Sequence, residues 1–179
     1  MDVRAIFGVG VLMSFVSSAV LAKLYVWPWL RAKDRREALV PLVAPHMILR
    51  FIGLSFLVPG VVSPALPASF AVPAAYGDFA AGVLAVIGTV ALARRASWAV
   101  ASVWVFNIWG AADLLLAFYE AAHAGMGIHP GMFGAAFYIP TAIVPPLLVS
   151  HILVFGVLVR QPTWRAVESG ARNRASVIG

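Results

Sequence analysis

Long apolar stretches alternate with short polar segments along most of the chain. Five of these stretches each approach the ~20 residues that a helix needs to cross a bilayer. The predicted spans are Ala5–Trp29, Pro45–Leu66, Ala74–Ala93, Trp98–Ala121 and Tyr138–Val159. This pattern predicts an all-α membrane protein with five transmembrane helices in residues 1–160. A short basic tail follows at 161–179.

Composition supports this interpretation. Of the 179 residues, 62% are hydrophobic and 11% are charged, whereas soluble domains hold about 45–50% apolar and about 25% charged residues. The lipid bilayer is therefore the expected partner for most of the surface. The chain has no cysteine, which excludes disulfides, thiolate metal sites and catalytic thiols.

Basic residues predict the orientation of the helices. They gather in three segments: Arg31, Lys33, Arg35 and Arg36; Arg94 and Arg95; Arg160, Arg165, Arg172 and Arg174. The loops at 67–73 and 122–137 carry no lysine or arginine. The positive-inside rule then predicts the N-terminus outside and the C-terminus inside, as expected for a multi-pass protein of a membrane such as the bacterial inner membrane. The basic charge belongs to these loops, so nucleic acid is not an expected partner.

Prolines predict two irregular regions. Because proline lacks a backbone donor and breaks or kinks helices, a proline-rich loop is expected after the second helix. It contains Pro59, Pro64, Pro67 and Pro73. The pair Pro145-Pro146 predicts a kink in the fifth helix.

Five polar residues interrupt the apolar runs: Arg50, Asp78, Asn107, Asp113 and His151. A charge at the bilayer centre costs roughly 2.5–3.5 kcal/mol on insertion scales, so such residues usually face a partner or a polar cavity. Asp78, Asp113 and His151 are the candidate catalytic residues, since carboxylates and imidazoles perform acid–base chemistry. The candidate ligand-binding residues are Arg50, Asn107, His46, Trp104 and Trp109.

Helical rise converts sequence separation into depth. Counting from Arg95 at 1.5 Å per residue, Asp78 lies about 25 Å away and Asp113 about 27 Å away. Their helices form a hairpin, so the two carboxylates are expected at one level near the outer side. There they either share a proton or meet water separately.

The same arithmetic separates the remaining polar residues from the two carboxylates. Arg50 is expected about 8 Å into its span and His151 about 13 Å before Arg160, with Asn107 in between. The expected arrangement is therefore a ladder, with Arg50 and His151 toward the inner side.

Three functions stay open at this point. The first is an internal polar cavity that binds, converts or transports a small or hydrophobic molecule. The second is a structural or assembly subunit of a membrane complex or homo-oligomer, in which the polar residues only pack helices. The third is a haem b anchor with His46 and His151 as axial ligands, which their unequal predicted depths oppose.

No metal or other cofactor is expected. Glu120 and His123 form a single Glu-x-x-His step. Metal sites in helical bundles use two such steps together with further carboxylates.

Overall fold

Five helices dominate the computed structural model, which describes residues 2–160. Each is long and apolar enough to cross a membrane. This confirms the prediction of an all-helical, multi-pass membrane protein. The helices are α1 Val3–Arg31, α2 Arg35–Leu57, α3 Ala68–Ala93, α4 Ala99–His123 and α5 Ile139–Val159. The predicted tail at 161–179 lies outside the described residues.

The second helix occupies a different part of the chain from the predicted span. It begins at Arg35, where Asp34 accepts hydrogen bonds from the backbone of Arg36 at 2.9 Å and Glu37 at 2.8 Å. Such an N-cap starts a helix despite the charges in its first turn. The prediction that this span begins at Pro45 is therefore wrong, and the true start lies ten residues earlier.

Prolines divide α2 without ending it. Its first segment, Arg35–Val43, stops just before Pro45, which has no N–H to donate to the preceding turn. A short turn at His46–Leu49 follows, and the helix finishes as a tighter 3₁₀ segment at Arg50–Leu57. Arg50 thus lies at the junction of the two helix types, in the C-terminal half of the span.

A tight connection joins α3 to α4. Arg95 takes a left-handed conformation, φ 55°, and the N–H of Ala96 donates to the carbonyl of Ala91 at 3.0 Å. This hydrogen bond closes the end of α3 in the manner of a Schellman motif. The two helices therefore run antiparallel from a common starting level. The other end of α3 extends to Ala68, six residues beyond the predicted boundary.

Two loops meet at the end of the bundle opposite Arg95. The N–H of Ser63 donates to the carbonyl of Met132 at 3.0 Å, and that of Ala135 donates to Val61 at 2.8 Å. Gly134 has φ +52°, and a Cβ on it would strike the Val61 carbonyl. We call this the proline-rich end, and we call the end with Arg31–Arg36, Arg95 and Arg160 the basic end.

The fifth helix begins with a π-helical turn, Ile139–Ile143, and continues as an α-helix over Val144–Val159. The first helix packs on it from the periphery. Gly10 faces Thr141, and Gly156 faces the ring of Trp27. Most of α1 is exposed, as expected for a helix that faces lipid.

Two apolar cores divide the bundle along its length. The basic-end core includes Leu39, Val43, Val103, Phe106 and Val154. The proline-end core includes Phe56, Phe70, Leu114, Phe133 and Leu147. Between them on four helices lies a layer of polar side chains, which we call the polar layer: His46, Arg50, Asp78, Asn107, Asp113 and His151.

Candidate functional site

Arg50 is the centre of the polar layer. Its side chain is fully buried, and Nη1 donates to Oδ1 of Asp78 at 2.5 Å and to Oδ2 of Asp113 at 2.8 Å. Nη2 donates to the carbonyl of Gly110. One guanidinium therefore joins α2, α3 and α4. Charge-assisted hydrogen bonds of this kind are about twice as strong as neutral ones.

Glycines let the three helices approach closely enough for these contacts. A Cβ on Gly53 would overlap the Asp78 carboxylate, and one on Gly77 would overlap that of Asp113. A Cβ on Gly110 would lie 2.7 Å from Cε1 of His151 and 3.0 Å from Nη2 of Arg50. Small residues at helix interfaces generally serve this purpose in membrane proteins.

His151 supports Arg50 from α5. Its Nε2 lies 3.1 Å from Nη2 of Arg50, and because a guanidinium can only donate, Nε2 must accept. Nδ1 then carries the proton and donates to Oδ1 of Asn107 at 2.7 Å. Nδ2 of Asn107 donates to the carbonyl of His151 at 3.2 Å. These contacts specify a neutral imidazole with one defined tautomer.

His46 completes the layer on the side of the basic end. Its Nε2 lies 2.6 Å from Oγ of Ser150, and its ring centroid is 4.6 Å from that of His151. A porphyrin between the two rings would have to separate them. Moreover, the Nε2 atoms already face Ser150 and Arg50. The geometry therefore does not fit an iron with His46 and His151 as axial ligands.

The contacts overturn the predicted ladder of depths. Asp78 and Asp113 do share a level, as the hairpin arithmetic requires, because both contact the same nitrogen. The prediction that Arg50 and His151 lie at a separate, inner level is wrong. Because α2 begins at Arg35, Arg50 is about 22 Å from the start of its helix rather than about 8 Å. The two carboxylates are joined by the guanidinium of Arg50, rather than by a shared proton.

A cavity opens from the polar layer toward the proline-rich end. Asp78 and Asp113 lie at its floor, and its walls are mainly aromatic and aliphatic. It offers about 40 Å³ to the centres of water-sized molecules, enough for about three waters. The walls include Phe56, Phe70, Phe118, Phe133, Ile139 and Val144.

Each carboxylate has one oxygen that Arg50 does not engage, and that oxygen packs against a glycine of a neighbouring helix: Gly53 for Asp78 and Gly77 for Asp113. Arg50 engages Oδ1 of Asp78 and Oδ2 of Asp113. Within residues 2–160, Oδ2 of Asp78 and Oδ1 of Asp113 make no hydrogen bond. The two side chains are only 10% and 11% exposed. The floor of the cavity therefore contains two largely buried carboxylates with acceptor capacity beyond their contacts to Arg50.

A narrower cleft leads sideways from Asp113. It runs between α3 and α4 and is lined by Phe70, Pro73, Ala74, Asp113, Leu116, Ala117 and Glu120. It shares Asp113, Phe70, Ala74 and Ala117 with the main cavity. Leu116 is 51% exposed on the outer face of α4, so the cleft reaches the surface that faces lipid.

The structure brings six predicted site residues together and leaves two apart. Arg50, Asp78, Asn107, Asp113, His151 and His46 form the polar layer. Trp104 instead packs on Phe155, with ring centroids 5.8 Å apart. Trp109 is half exposed, and its indole N–H donates to the Gly77 carbonyl at 3.4 Å. Neither tryptophan lines the cavity or the cleft.

The aromatic walls of the cavity are absent from the predicted site. Phe133 is the central ring, with centroids 5.8 Å from Phe7 and Phe70 and 6.2 Å from Phe56. Some residues that line the cavity can nevertheless be identified from the helical periodicity of the sequence. Phe70, Ala74 and Asp78 follow an i, i+4, i+8 pattern on one face of α3. Phe133 comes from an irregular segment, so no such pattern could identify it.

Metal-ligating side chains do not cluster in the part of the chain that the structure describes. No group of three or more His, Cys, Asp or Glu residues there could hold a metal ion. Nδ1 of His123 bonds to the carbonyl of Tyr119 at 2.9 Å, within its own helix. The Glu120–His123 step therefore gains no further ligand.

The fold and the site together define a class: a multi-pass helical membrane protein with a buried arginine–aspartate cluster beneath an internal cavity. Residues 6–159 match a family described as Domain of unknown function (DUF8737). The chain belongs to this family. No curated protein and no solved structure matches it significantly.

Proposed function

We propose that this protein binds a small, largely apolar molecule in the cavity above Asp78 and Asp113. The observation that carries the proposal is an aromatic cavity whose floor contains two largely buried carboxylates, Asp78 and Asp113. Ligand sites are typically concave and apolar, with a few polar groups that fix the orientation of the ligand. Asp78 and Asp113 are in the position to supply that orientation.

The distribution of apolar residues favours binding over passage through the bundle. The cavity and the cleft both lie on the side of the polar layer that faces the proline-rich end. On the other side, the polar layer meets the basic-end core, in which Leu39, Val43, Val103 and Val154 are fully buried. A ligand that reaches Asp113 therefore meets a closed wall beyond Arg50.

His151 supports this site without facing it. Both of its ring nitrogens are engaged, with Arg50 and with Asn107, and it is not among the residues that line the cavity. We therefore assign His151 and Asn107 to positioning Arg50, which in turn fixes the two carboxylates.

Filling the cavity tests the proposal. Ala117 lines both the cavity and the cleft, so Ala117→Phe should remove the space for a ligand. The probe is dodecanol with a photoreactive diazirine in its chain, added to the full chain in lipid nanodiscs. We expect labelling of residues 113–121 to fall about tenfold, the loss that 1.4 kcal/mol of binding energy produces.

The matched control is Ala112→Phe, on the exposed side of the same helix. It adds the same ring where only lipid is displaced, so labelling should stay at the wild-type level. Equal labelling of both variants and wild type, with unfolding midpoints unchanged, would contradict the proposal. That result would favour the alternative of a structural subunit whose polar residues only pack helices.

We also propose that the proline-rich end faces outside and the basic end faces the cytoplasm. The loops at 58–67 and 124–138 contain no lysine or arginine, whereas the opposite end contains Arg31–Arg36, Arg94, Arg95 and Arg160. The positive-inside rule gives this orientation, and the cavity would then open toward the outer side of the membrane.

Single cysteines test the orientation cleanly, because the chain has none of its own. Ala65 and Ser97 are exposed at opposite ends of the bundle. In intact bacterial cells, an impermeant maleimide should label Ala65→Cys and should label Ser97→Cys only after permeabilisation. The reverse pattern would overturn the proposed orientation.

A further inference from the structure

We infer that the ligand is a membrane amphiphile with a small cationic amine headgroup, and that it reaches the cavity sideways between α3 and α4. The inference rests on the proposed binding function and specifies its ligand class. Three features carry it: the sign of the charges around the openings, the aromatic walls and the shape of the cleft.

Within residues 2–160, every charged residue that lines the cavity or the cleft is acidic. Asp78 and Asp113 line the cavity, and Asp113 and Glu120 line the cleft. Arg50 lines neither, and its guanidinium lies beneath the floor. A headgroup entering from the cleft therefore meets Glu120 first and then the carboxylates of Asp113 and Asp78.

The charge of the cluster is unbalanced in the same direction. One guanidinium faces two carboxylates, and the hydrogen bonds of His151 specify a neutral ring. With both carboxylates ionised, this cluster has a net charge of −1, and an ammonium group would neutralise it. An ammonium also supplies three donors and no acceptor, which suits a floor made of two carboxylates.

The walls match a cation as well as a hydrocarbon. The aromatic rings of Phe56, Phe70, Phe118 and Phe133 line the same cavity as the carboxylates. Aromatic faces attract ammonium groups through the ring quadrupole, an interaction that strengthens when the cation is desolvated. An anionic headgroup would gain no such attraction from the ring faces and would be repelled by the two carboxylates.

The size of the cavity determines which part of the amphiphile can lie inside the protein. The cavity accommodates about three waters, which is the scale of an amine headgroup and a few methylenes. A long chain has no room inside and must leave through the cleft, where Leu116 and Pro73 border the lipid-facing surface. The headgroup is thus bound in the protein while the tail stays in the bilayer.

Competition between matched amphiphiles tests the inference. The photoreactive dodecanol probe is displaced in nanodiscs by dodecylamine, dodecanol or dodecanoic acid, which share one chain length. We expect dodecylamine to compete about tenfold better than dodecanol, since one favourable charge interaction of about 1.4 kcal/mol gives that ratio. Dodecanoic acid should be the weakest competitor.

Two variants test whether the preference for the amine over the alcohol arises at the cleft. Glu120→Gln removes the acidic group at the mouth of the cleft and should reduce the advantage of the amine over the alcohol about threefold, as expected for a partly exposed charge. Glu37→Gln, an exposed glutamate at the basic end, makes the same chemical change far from the cleft and should leave the advantage intact.

The outcomes separate the inference from the proposed function. If the amine and the alcohol compete equally and Ala117→Phe still abolishes labelling, the cationic ligand class is wrong and the binding site stands. If labelling is insensitive to Ala117→Phe, the binding site itself is wrong. If Glu120→Gln and Glu37→Gln reduce the preference equally, access through the cleft is overturned.

Discussion

Replacing Arg50 by methionine is expected to destabilise the protein by about 3–5 kcal/mol, the cost of removing one partner from a buried ion pair. Methionine fills a similar volume without any donor. Asp78 and Asp113 would lose their common partner, and the Gly110 carbonyl and Nε2 of His151 would lose their donor. Four buried acceptors on three helices would then lack a hydrogen-bond donor at the same time.

The measurement is the free energy of unfolding in mixed detergent micelles. Arg31→Met is the matched control, because Arg31 is exposed at the basic end and its loss should change stability by less than about 1 kcal/mol. If Arg50→Met were no more destabilising than Arg31→Met, Arg50 would not hold the polar layer together.

Replacing Gly110 by alanine is the second large effect. The added methyl would lie 2.7 Å from Cε1 and 2.9 Å from Nε2 of His151, and 3.0 Å from Nη2 of Arg50. Both side chains are almost completely buried and are held by hydrogen bonds, so neither can withdraw without losing a partner. We expect a loss of about 1–3 kcal/mol, as for other overpacked interiors.

Gly8→Ala provides the matched control for this substitution. A Cβ on Gly8 would meet no atom within 4 Å, and alanine is a better helix former than glycine by about 0.8–1.0 kcal/mol. That variant should be as stable as the wild type or slightly more stable. Equal stability of Gly110→Ala and wild type would show that α4 does not approach Arg50 as closely as described.

Hydropathy alone was sufficient for the architecture but not for every boundary. The fourth and fifth helices begin within one residue of their predicted starts, because polar residues or loops flank their apolar runs. The second helix differs because two features hide its start. The apolar pattern is interrupted by three charged residues, Arg35, Arg36 and Glu37. Two prolines, Pro41 and Pro45, also follow, and prolines are typical of the end of a helix. The cap at Asp34 is the local signal that identifies the true start.

That single boundary determines how the site is interpreted. With α2 beginning at Pro45, Arg50 would lie near the inner headgroups, far from both carboxylates. With α2 beginning at Arg35, Arg50 reaches the level of Asp78 and Asp113, and one arginine satisfies both. The polar residues themselves were identifiable from sequence because charges in apolar helices are costly.

The rest of the site depends on information that helical periodicity does not contain. Which face of α5 meets α4 decides that His151 bonds to Asn107, and rotations of this kind are set by packing. The roof of the cavity depends on Phe133, which lies in the irregular segment Pro130–Phe137. Sequence patterns give neither the rotation nor the path of that loop.

The central claim is that Arg50 is the common buried partner of Asp78 and Asp113, and one comparison tests it most directly. The free energies of unfolding of Arg50→Met and of the triple variant Arg50→Met/Asp78→Asn/Asp113→Asn are measured under the same conditions. If the arginine serves as the common partner of the two carboxylates, the triple variant should recover most of the loss and lie within about 1–2 kcal/mol of wild type, since replacing a whole buried ion cluster is often nearly neutral. A triple variant less stable than Arg50→Met would contradict the account, because the carboxylates would then stabilise the fold without the arginine.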